Sequence, residues 1–384
     1  MMPPNNHAVL SASSSERWLN CPPSVRLSEQ FVDVGSGAAA EGTAAHTLAE
    51  HKLLRALKKR SKKPISQYDS DEMDAYTDGY IEFVLEKYAE AKQRSPDAQI
   101  LVEQRVDFSR YVPEGFGTAD CVIVSDDTLY IIDLKYGQGI LVEAENNPQL
   151  RLYALGALEI FGSLYDIKTI SMSIYQPRRD NVCTWTITLS ELMTWAENEL
   201  IPKAKLAYSG EGEFKCGAWC QFCKAATLCR ARADENLKLA QYDFAAPDLL
   251  SPDEIEDVLG KIDGLVSWAN AVRDYALEEA LKGTVWKNFK LVEGRSIRKY
   301  SDEDAVAEAA KAAGYTDIFK KTLIGITEME RLMGKKNFAE ILGDLVHKPP
   351  GKPTLVPMTD KRPAITANNA KNDFTTIEED TNNG

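Results

Sequence analysis

Two aspartates and a lysine stand close together in a stretch whose pattern predicts two neighbouring β-strands. Asp120 lies at the start of the first predicted strand, and Asp133 and Lys135 lie at the end of the second. A tight turn at Asp126 and Asp127 separates the strands, so the carboxylates of Asp120 and Asp133 can converge at one edge of the sheet. Oxygen ligands in that arrangement suit Mg²⁺ or Mn²⁺. Lys135, two residues after Asp133, would project to the same face.

A lysine beside such a metal site could assist the hydrolysis of a phosphodiester. Its ammonium could orient or help to deprotonate the attacking water and offset the charge of the transition state. The pattern Asp-x-Lys is nevertheless common, and by itself it fits a hairpin with a solvated edge equally well. Support for the catalytic interpretation must therefore come from other residues.

Polar residues on two predicted helices provide that support. His46 follows Gly42 on the first long helix and could supply a further ligand to a divalent ion, with His51 as the alternative on the same helix. Gln149 and Tyr153 are four residues apart, and they therefore share one face of the helix that follows the Asp133 strand. An amphipathic helix face would explain this spacing as well.

The cysteines indicate a second metal site. Cys220, Cys223 and Cys229 have the spacing C-x2-C-x5-C, and Cys216 precedes them by four residues. A framework of disulfides is not expected in a cytosolic chain. These four cysteines could form a local zinc site, because four thiolates suit tetrahedral Zn²⁺.

The elements that must position these residues alternate between helix and strand, which predicts an α/β fold. Strands rich in Val and Ile are predicted at residues 99–108, 120–125, 128–134, 169–175 and 182–189. Helices with apolar residues at helical spacing are predicted at residues 41–60, 71–93, 148–161 and 190–208. Beyond residue 233 the sequence predicts mainly helices, including two between residues 251 and 283, and a short β-like piece at 287–300.

Composition is that of a globular protein with two domains. The chain has 384 residues, of which 44% are hydrophobic, and it contains no apolar run long enough to span a membrane. The first residues lack the features of a signal peptide, so a cytoplasmic location is expected. The net charge of −13 argues mildly against a nucleic-acid partner. Nuclease sites are themselves acidic, however, and residues 52–63 are strongly basic.

Taken in chain order, the motifs G-x-x-x-H, G-x-x-D, D-x-K and Q-x-x-x-Y resemble those of the RecB-like branch of the PD-(D/E)XK nucleases. The resemblance spans about residues 10–230 and implies a restriction-endonuclease-like core, in which helices flank a mixed central sheet. The second acid is an aspartate here, where many relatives carry glutamate. The matching positions are Gly42, His46, Gly117, Asp120, Asp133, Lys135, Gln149 and Tyr153.

The resemblance also implies roles for these residues. His46, Asp120 and Asp133 would bind the catalytic Mg²⁺ or Mn²⁺ together with the carbonyl of Leu134, while Lys135 would serve the chemical step. Asp120 and Asp133 would thus be both catalytic residues and metal ligands. The two remaining residues would shape the site or contact the DNA backbone, and these are Gln149 and Tyr153.

The cysteines resemble those of the AddB-type nucleases and of the nucleases of CRISPR adaptation. In those proteins one N-terminal cysteine joins a C-terminal C-x2-C-x5-C to hold a [4Fe-4S] cluster. The resemblance implies that Cys21, Cys220, Cys223 and Cys229 bind such a cluster and tie the two ends of the nuclease domain together. Zinc bound by the local set that includes Cys216 remains the alternative.

The whole chain resembles a family of bacteriophage and prophage proteins of unassigned activity. We predict a nuclease domain at residues 1–232, closed by the cysteine segment 216–229, a mainly helical domain at 233–347 and a poorly ordered tail at 348–384. The resemblance implies a DNA nuclease, an exonuclease in phage replication, recombination or end processing, with proteins of those pathways as further partners. A silent nuclease fold that only binds DNA or acts as a scaffold is the alternative. The oligomeric state stays open.

Overall fold

The computed structural model describes residues 8–31, 37–239, 250–290, 292, 303–312, 325–342 and 345–346. Contacts divide the chain into two units, Met1–Lys282 and Gly283–Gly384. The first unit contains all the residues that the sequence predicts to do chemistry. The predicted tail at 348–384 and most of the predicted β-like piece at 287–300 lie outside the described residues.

A five-stranded sheet forms the centre of the first unit. Its strands follow one another in chain order and run antiparallel, except that β3 and β4 are parallel. The sheet is therefore mixed and flanked by helices, which confirms the predicted α/β class. The strands are β1 (Gln99–Asp107), β2 (Phe116–Val124), β3 (Asp127–Leu134), β4 (Ile167–Gln176) and β5 (Asn181–Thr188).

Helices cover both faces of this sheet. In the first unit they are α1 (Ser15–Asn20), α2 (Ser24–Ser28), α3 (Gly37–Ala56), α4 (Asp71–Arg94), α5 (Pro148–Phe161), α6 (Leu189–Trp195), α7 (Ile201–Ser209), α8 (Arg230–Leu237) and α9 (Pro252–Leu281). On one face, Leu53 of α3 and Tyr80 of α4 pack against Ile132 of β3. On the other face, Trp18 of α1 and Leu150 of α5 belong to the larger apolar core. The second unit contains α10 (Glu303–Ala312), α11 (Ile326–Met333) and α12 (Lys335–Leu342).

The sequence between residues 251 and 283 forms one helix, where two were predicted. Ser251 and Glu254 make a capping box that starts α9, and the helix then runs unbroken to Leu281. Gly260 and Gly264 lie inside this helix, where a glycine lowers helix stability but does not end the helix. None of the described helices combines the length and the apolar character needed to cross a bilayer.

Helix α5 makes the crossover between the parallel strands β3 and β4 and carries two of the predicted site residues. Asn147 caps its start by accepting hydrogen bonds from the backbone N–H of Gln149 at 3.0 Å and of Leu150 at 3.3 Å. Pro148 occupies the first turn, where its missing N–H has no cost. Gln149 is thereby fixed at the helix start, next to the end of β3.

Candidate metal centre

The end of β3 presents the buried acid of the predicted site. The Asp133 side chain is 2% exposed, and the Lys135 ammonium lies 2.8 Å from its Oδ2 atom. This ion pair is the only polar contact of Oδ2 among the described residues. Lys135 Nζ also donates to Gln149 Oε1 at 2.9 Å. A buried carboxylate oxygen with a single partner keeps lone pairs free, so it can also bind a metal ion.

The regular alternation of side chains between the two faces of the sheet is interrupted in strand β1 near this site. Val102 packs towards α3 and α4, whereas Val106 packs in the core on the opposite face. Residues four apart in a regular strand face the same side, so the strand is irregular between them. Glu103 has a φ of 50° there, a left-handed conformation that L-residues with a long side chain rarely adopt. Such backbone strain is found most often at functional sites.

Glu103, His46 and Asp120 form a compact triad of metal-ligand side chains. One ligand atom from each of these three residues lies within 4.8 Å of the other two. The pairing of β1 with β2 places Glu103 opposite Asp120, and α3 brings His46 over them from one face. A histidine with two carboxylates can hold Mn²⁺ or a related divalent ion. The triad is therefore a candidate metal site.

Hydrogen bonds fix the Asp120 carboxylate in this triad. Its Oδ2 atom accepts from the backbone N–H of Leu134 at 2.7 Å, which ties β2 to the end of β3. Its Oδ1 atom lies 3.1 Å from His46 Nδ1. Leu134 also lines the small cavity at the triad. The two neighbours hold the carboxylate in one orientation within the triad.

Burial and the charges of neighbouring side chains shift the pKa values of the ionisable residues in this site. Burial alone lowers the pKa of His46, but the Asp120 carboxylate outweighs it and raises that pKa to about 9. Burial and the charge of Asp120 raise the pKa of Glu103 to about 7. Burial likewise raises the pKa of Asp133. Burial opposes ionisation of Asp120 too, yet His46 and Lys135 hold its pKa below the ordinary value. Carboxylates crowded at this density repel one another, and a cation would relieve that repulsion.

Gln149 connects the acid, the base and the aromatic residue of the predicted site. Its Nε2 group donates to Asp133 Oδ1 at 3.0 Å and lies 3.1 Å from Tyr153 Oη. Tyr153 packs beside Gly117, where an added Cβ would approach the tyrosine ring to 2.9 Å. Only glycine leaves room for the ring at this point of β2. The structure therefore joins Gly117, Gln149 and Tyr153 to the Asp133 side of the site.

The predicted residues thus fall into two connected groups. The first is the triad, to which the sequence contributes His46 and Asp120, with Leu134 at its border. The second joins Asp133 and Lys135 to the two residues of α5. His51 is placed elsewhere, with its Nδ1 atom 3.0 Å from Ser61 Oγ.

Glu103 was missed by reasoning from the sequence. It lies in the predicted strand 99–108, but no motif marked it. Pairing that strand with the following one as a hairpin would have placed Glu103 across from Asp120. The strand pairing was therefore the signal that could have found it.

The pKa of Glu103 predicts how the stability of the metal-free protein depends on pH. Its pKa of about 7 exceeds the ordinary value of 4.5, so the folded state holds this proton more tightly. The resulting stabilisation is complete below pH 4.5 and is lost as the pH rises through 7. Glu103→Gln mimics the protonated form. We expect it to remove this loss when the free energy of unfolding is measured in EDTA with urea.

A matched control for that measurement is Glu50→Gln. Glu50 lines the same cavity on α3 but does not belong to the triad. The charge of Glu50 is one of the smaller causes of the raised pKa of Glu103, so its replacement should weaken the pH dependence of unfolding only slightly. In addition, Mn²⁺ at pH 8 should raise the melting temperature of the wild type and of Glu50→Gln more than that of Glu103→Gln. Equal pH profiles for all three proteins would contradict the assignment.

Five cysteines line a second cavity, at the junction of the N-terminal helices with the segment before α8. Cys21 and Cys216 line it together with the three cysteines of the C-x2-C-x5-C motif. Both candidate ligand sets are therefore at the same place. Arg17, Lys215 and Arg232 also line it, and none of its described lining residues is acidic. The motif cysteines are Cys220, Cys223 and Cys229.

Two solved structures show distant likeness to the chain. One is a crystal structure from Eubacterium rectale that bears the name "Putative exonuclease"; the match is 12% identical, covers 66% of this chain and 92% of that one, and has a TM-score of 0.32. The other is the crystal structure of a protein designated SSO0001. That match is also 12% identical, covers 57% of this chain and 96% of that one, and has a TM-score of 0.23.

A protein-family match covers nearly the whole chain. One family model matches residues 7–363, a range that includes the triad, Asp133, Lys135 and all five cysteines of the second cavity. The match thus takes in both candidate metal sites. The chain belongs to the family described as "Protein of unknown function (DUF2800)".

Proposed function

We propose that the chain is a divalent-metal-dependent nuclease that hydrolyses phosphodiester bonds of DNA. The observation that carries this proposal is the convergence of a His46, Glu103 and Asp120 triad with the Asp133 and Lys135 pair at one end of the sheet. Acidic metal ligands next to a lysine are the groups that phosphodiester hydrolysis needs. The order of the motifs along the chain agrees with this interpretation.

The side chains present fit a Mg²⁺ or Mn²⁺ ion. His46, Glu103 and Asp120 would hold it, with Asp133 and the Leu134 carbonyl as the further ligands that the motif series implies. Asp133 Oδ2 is buried with Lys135 as its only polar partner among the described residues, and burial together with the charge of Asp120 raises the pKa of Glu103. A bound cation would stabilise the ionised forms of these crowded acids. Binding would release the proton held by His46, since a ligand nitrogen must be free.

A bound ion would lower the pKa of a water molecule and polarise the scissile phosphate. The protein itself supplies the remaining contributions. Lys135 holds its ammonium at Asp133 and Gln149, where it can orient the water or stabilise negative charge on the phosphate. Gln149 restrains both Asp133 and Lys135, so the acid and the base keep their relative positions. Tyr153 supports Gln149 and can contact the DNA backbone.

We propose that the second cavity holds a [4Fe-4S] cluster bound by Cys21, Cys220, Cys223 and Cys229. Thiolates are the ligands of such clusters, and the cationic lining would offset their negative charge. The cluster would join the N-terminal helices to the segment that follows α7 and so hold the nuclease domain closed. Zinc on a set that includes Cys216 is the alternative, and metal analysis of anaerobically purified protein separates the two.

The finer assignments concern the substrate and the biological setting. We propose that the enzyme acts as an exonuclease on DNA in the bacterial host of a phage, in replication, recombination or end processing. These assignments are supported by the resemblance of the motifs and of the whole chain to phage and prophage proteins. Partners from those pathways would bind outside the metal centre, and the helical region from residue 233 offers surface for them.

Cleavage of end-labelled linear DNA tests the function. Anaerobically purified protein is incubated with single- or double-stranded DNA in Mg²⁺, Mn²⁺ or EDTA. We expect cleavage that requires a metal and falls by about 100-fold or more in His46→Gln. His51→Gln is the matched control, since His51 lies on the same helix and is bonded to Ser61. The pattern of products reports whether cutting starts from an end.

Two results would contradict the proposal. Cleavage that is equally fast in EDTA, or equally affected by both histidine variants, would sink the assigned metal centre. DNA binding without cleavage under any metal condition would favour the silent nuclease fold, in which the same residues serve only recognition or structure. The description of the fold would still hold, but the protein would be assigned a DNA-binding role in place of an enzymatic one.

A further inference from the structure

Arg17 occupies a special position at the cavity of the five cysteines. It lies on α1, and its carbonyl accepts a hydrogen bond from the Cys21 N–H at 2.8 Å, so it sits one helical turn before the N-terminal cysteine. Its side chain lines the cavity. Of the three cationic residues that line the cavity, Lys215 is exposed, whereas Arg17 and Arg232 are half-buried. The charge of Arg17 is therefore shielded less by water than the charge of Lys215.

Hydrogen bonds fix the Arg17 guanidinium in place. Its Nη1 group donates to Ser24 Oγ at 2.9 Å and to Ser28 Oγ at 3.3 Å, both on α2. Ser28 Oγ lies 3.6 Å from Cys223 Sγ. Because Ser28 accepts from Arg17, its own hydroxyl hydrogen is available to the sulfur. The guanidinium is thus connected through one serine to a cysteine of the C-x2-C-x5-C motif.

The charge of Arg17 acts on cysteines from both ends of the nuclease domain. Burial lowers the pKa of the guanidinium, while negative charge on Cys223 and Cys21 opposes that shift. The attraction is reciprocal, so the guanidinium would stabilise a negatively charged group held by these two residues. None of the described residues lining this cavity is acidic. A fixed cation that is partly shielded from water attracts a negatively charged group in the cavity more strongly than an exposed cation does.

We propose that Arg17 is the positioning residue that fixes the charge balance of the cysteine-bound cluster. The inference rests on the proposed function, because it needs the cluster. Arg17 holds the N-terminal helices in register with Cys223 through Ser24 and Ser28, and it stabilises the anionic cluster that joins them. Reduction by one electron adds a negative charge to the cluster and no proton. A nearby fixed cation therefore raises the reduction potential.

The test measures the cluster itself rather than DNA cleavage. Full-length wild type, Arg17→Gln and Arg17→Lys are purified anaerobically and assayed for iron, acid-labile sulfide and visible absorption. Release of iron to a chelator gives the stability of the cluster, and titration with dithionite gives its midpoint potential. We expect Arg17→Gln to release iron about 10- to 100-fold faster and to have a lower midpoint potential. Arg17→Lys should restore the potential, because it keeps the charge.

Two further variants distinguish charge from packing. Ser28→Ala removes the link to Cys223 but keeps the guanidinium, so iron release should accelerate with little change in potential. Should Arg17→Gln fail to fold, Ser28→Ala still tests the link to Cys223, and Arg17→Lys tests whether the positive charge keeps the potential without the guanidinium hydrogen bonds. Arg26→Gln is the control, since Arg26 lies on α2 but donates to the Tyr208 carbonyl at 2.7 Å instead of lining the cavity. It should match the wild type in both measurements.

The possible results distinguish a failure of the role proposed for Arg17 from a failure of the proposed [4Fe-4S] cluster. Wild-type protein that binds no iron and sulfide would overturn the cluster and the role of Arg17 with it. Wild type with a stable cluster, together with unchanged iron release and potential in Arg17→Gln and Ser28→Ala, would overturn the role of Arg17 alone. Equal effects of Arg17→Gln and Arg26→Gln would do the same, because they would indicate general loosening of the helices.

Discussion

Replacing Lys135 by Met should lower the rate of DNA cleavage by about 100- to 1000-fold while the protein still folds and binds Mn²⁺. The methionine fills similar space but cannot place a positive charge 2.8 Å from Asp133. Its effect should appear in kcat, since the ammonium would act on charge that develops during the reaction. Mn²⁺ affinity, measured by calorimetry, should change by only a few fold, because His46, Glu103 and Asp120 remain.

Lys168→Met provides the matched control. Lys168 lies at the opposite end of the same sheet, where it pairs with Asp127 and Asp166 on the surface. Its replacement should leave kcat within about twofold of the wild type, as expected for an exposed ion pair. If Lys135→Met cleaved DNA at the wild-type rate, Lys135 would have no role in the chemical step. A large loss in both variants would indicate damage to the sheet.

Cys21→Ser should cause the second large effect, the loss of bound iron together with a marked fall in stability. A crosslink between Cys21 and Cys220 closes a loop of about 200 residues, and the loop entropy of such a crosslink corresponds to about 5 kcal/mol. Serine has nearly the same size as cysteine but is a poor ligand for iron. The measurements are iron per chain and the free energy of unfolding in guanidinium, both made anaerobically.

Two other cysteine variants make the Cys21 experiment decisive. Cys183→Ser should retain the cluster, because Cys183 lies on β5, away from the cavity, and accepts a hydrogen bond from Ala144. Cys216→Ser should also retain it if Cys21 completes the ligand set. Loss of metal in Cys216→Ser with full metal in Cys21→Ser would establish the local site and contradict the crosslink between the two ends of the domain.

The fold could be predicted from local patterns to a large extent. Stretches rich in Val and Ile marked the strands, and the apolar spacing of α4 and α5 marked both helices within one or two residues. β2 was predicted to start at Asp120, but pairing with β1 extends it back to Phe116. That extension depends on hydrogen bonds to a neighbouring strand, and such bonds are not encoded in the local sequence.

The candidate metal centre was predictable only where a motif contained its residues. His46 and Asp120 stand in recognisable spacings, and the structure brings them together. Glu103 contributes equally to the triad, yet its position depends on a φ of 50° and on strand pairing. Neither can be read from residue types, since glutamate does not favour that conformation. The two groups of site residues could likewise be separated only once the sheet was known.

The docking of the N-terminal helices on α7 also determines when this protein can finish folding during its synthesis. Arg26 of α2 bonds to the carbonyl of Tyr208, and Trp18 shares a core with Ala204. These partners are translated more than 180 residues after α1 and α2, which at ribosomal rates is a delay of about 10 to 40 s. Until then the apolar surface of Trp18 and Leu19 that α7 covers in the folded protein stays exposed on the nascent chain.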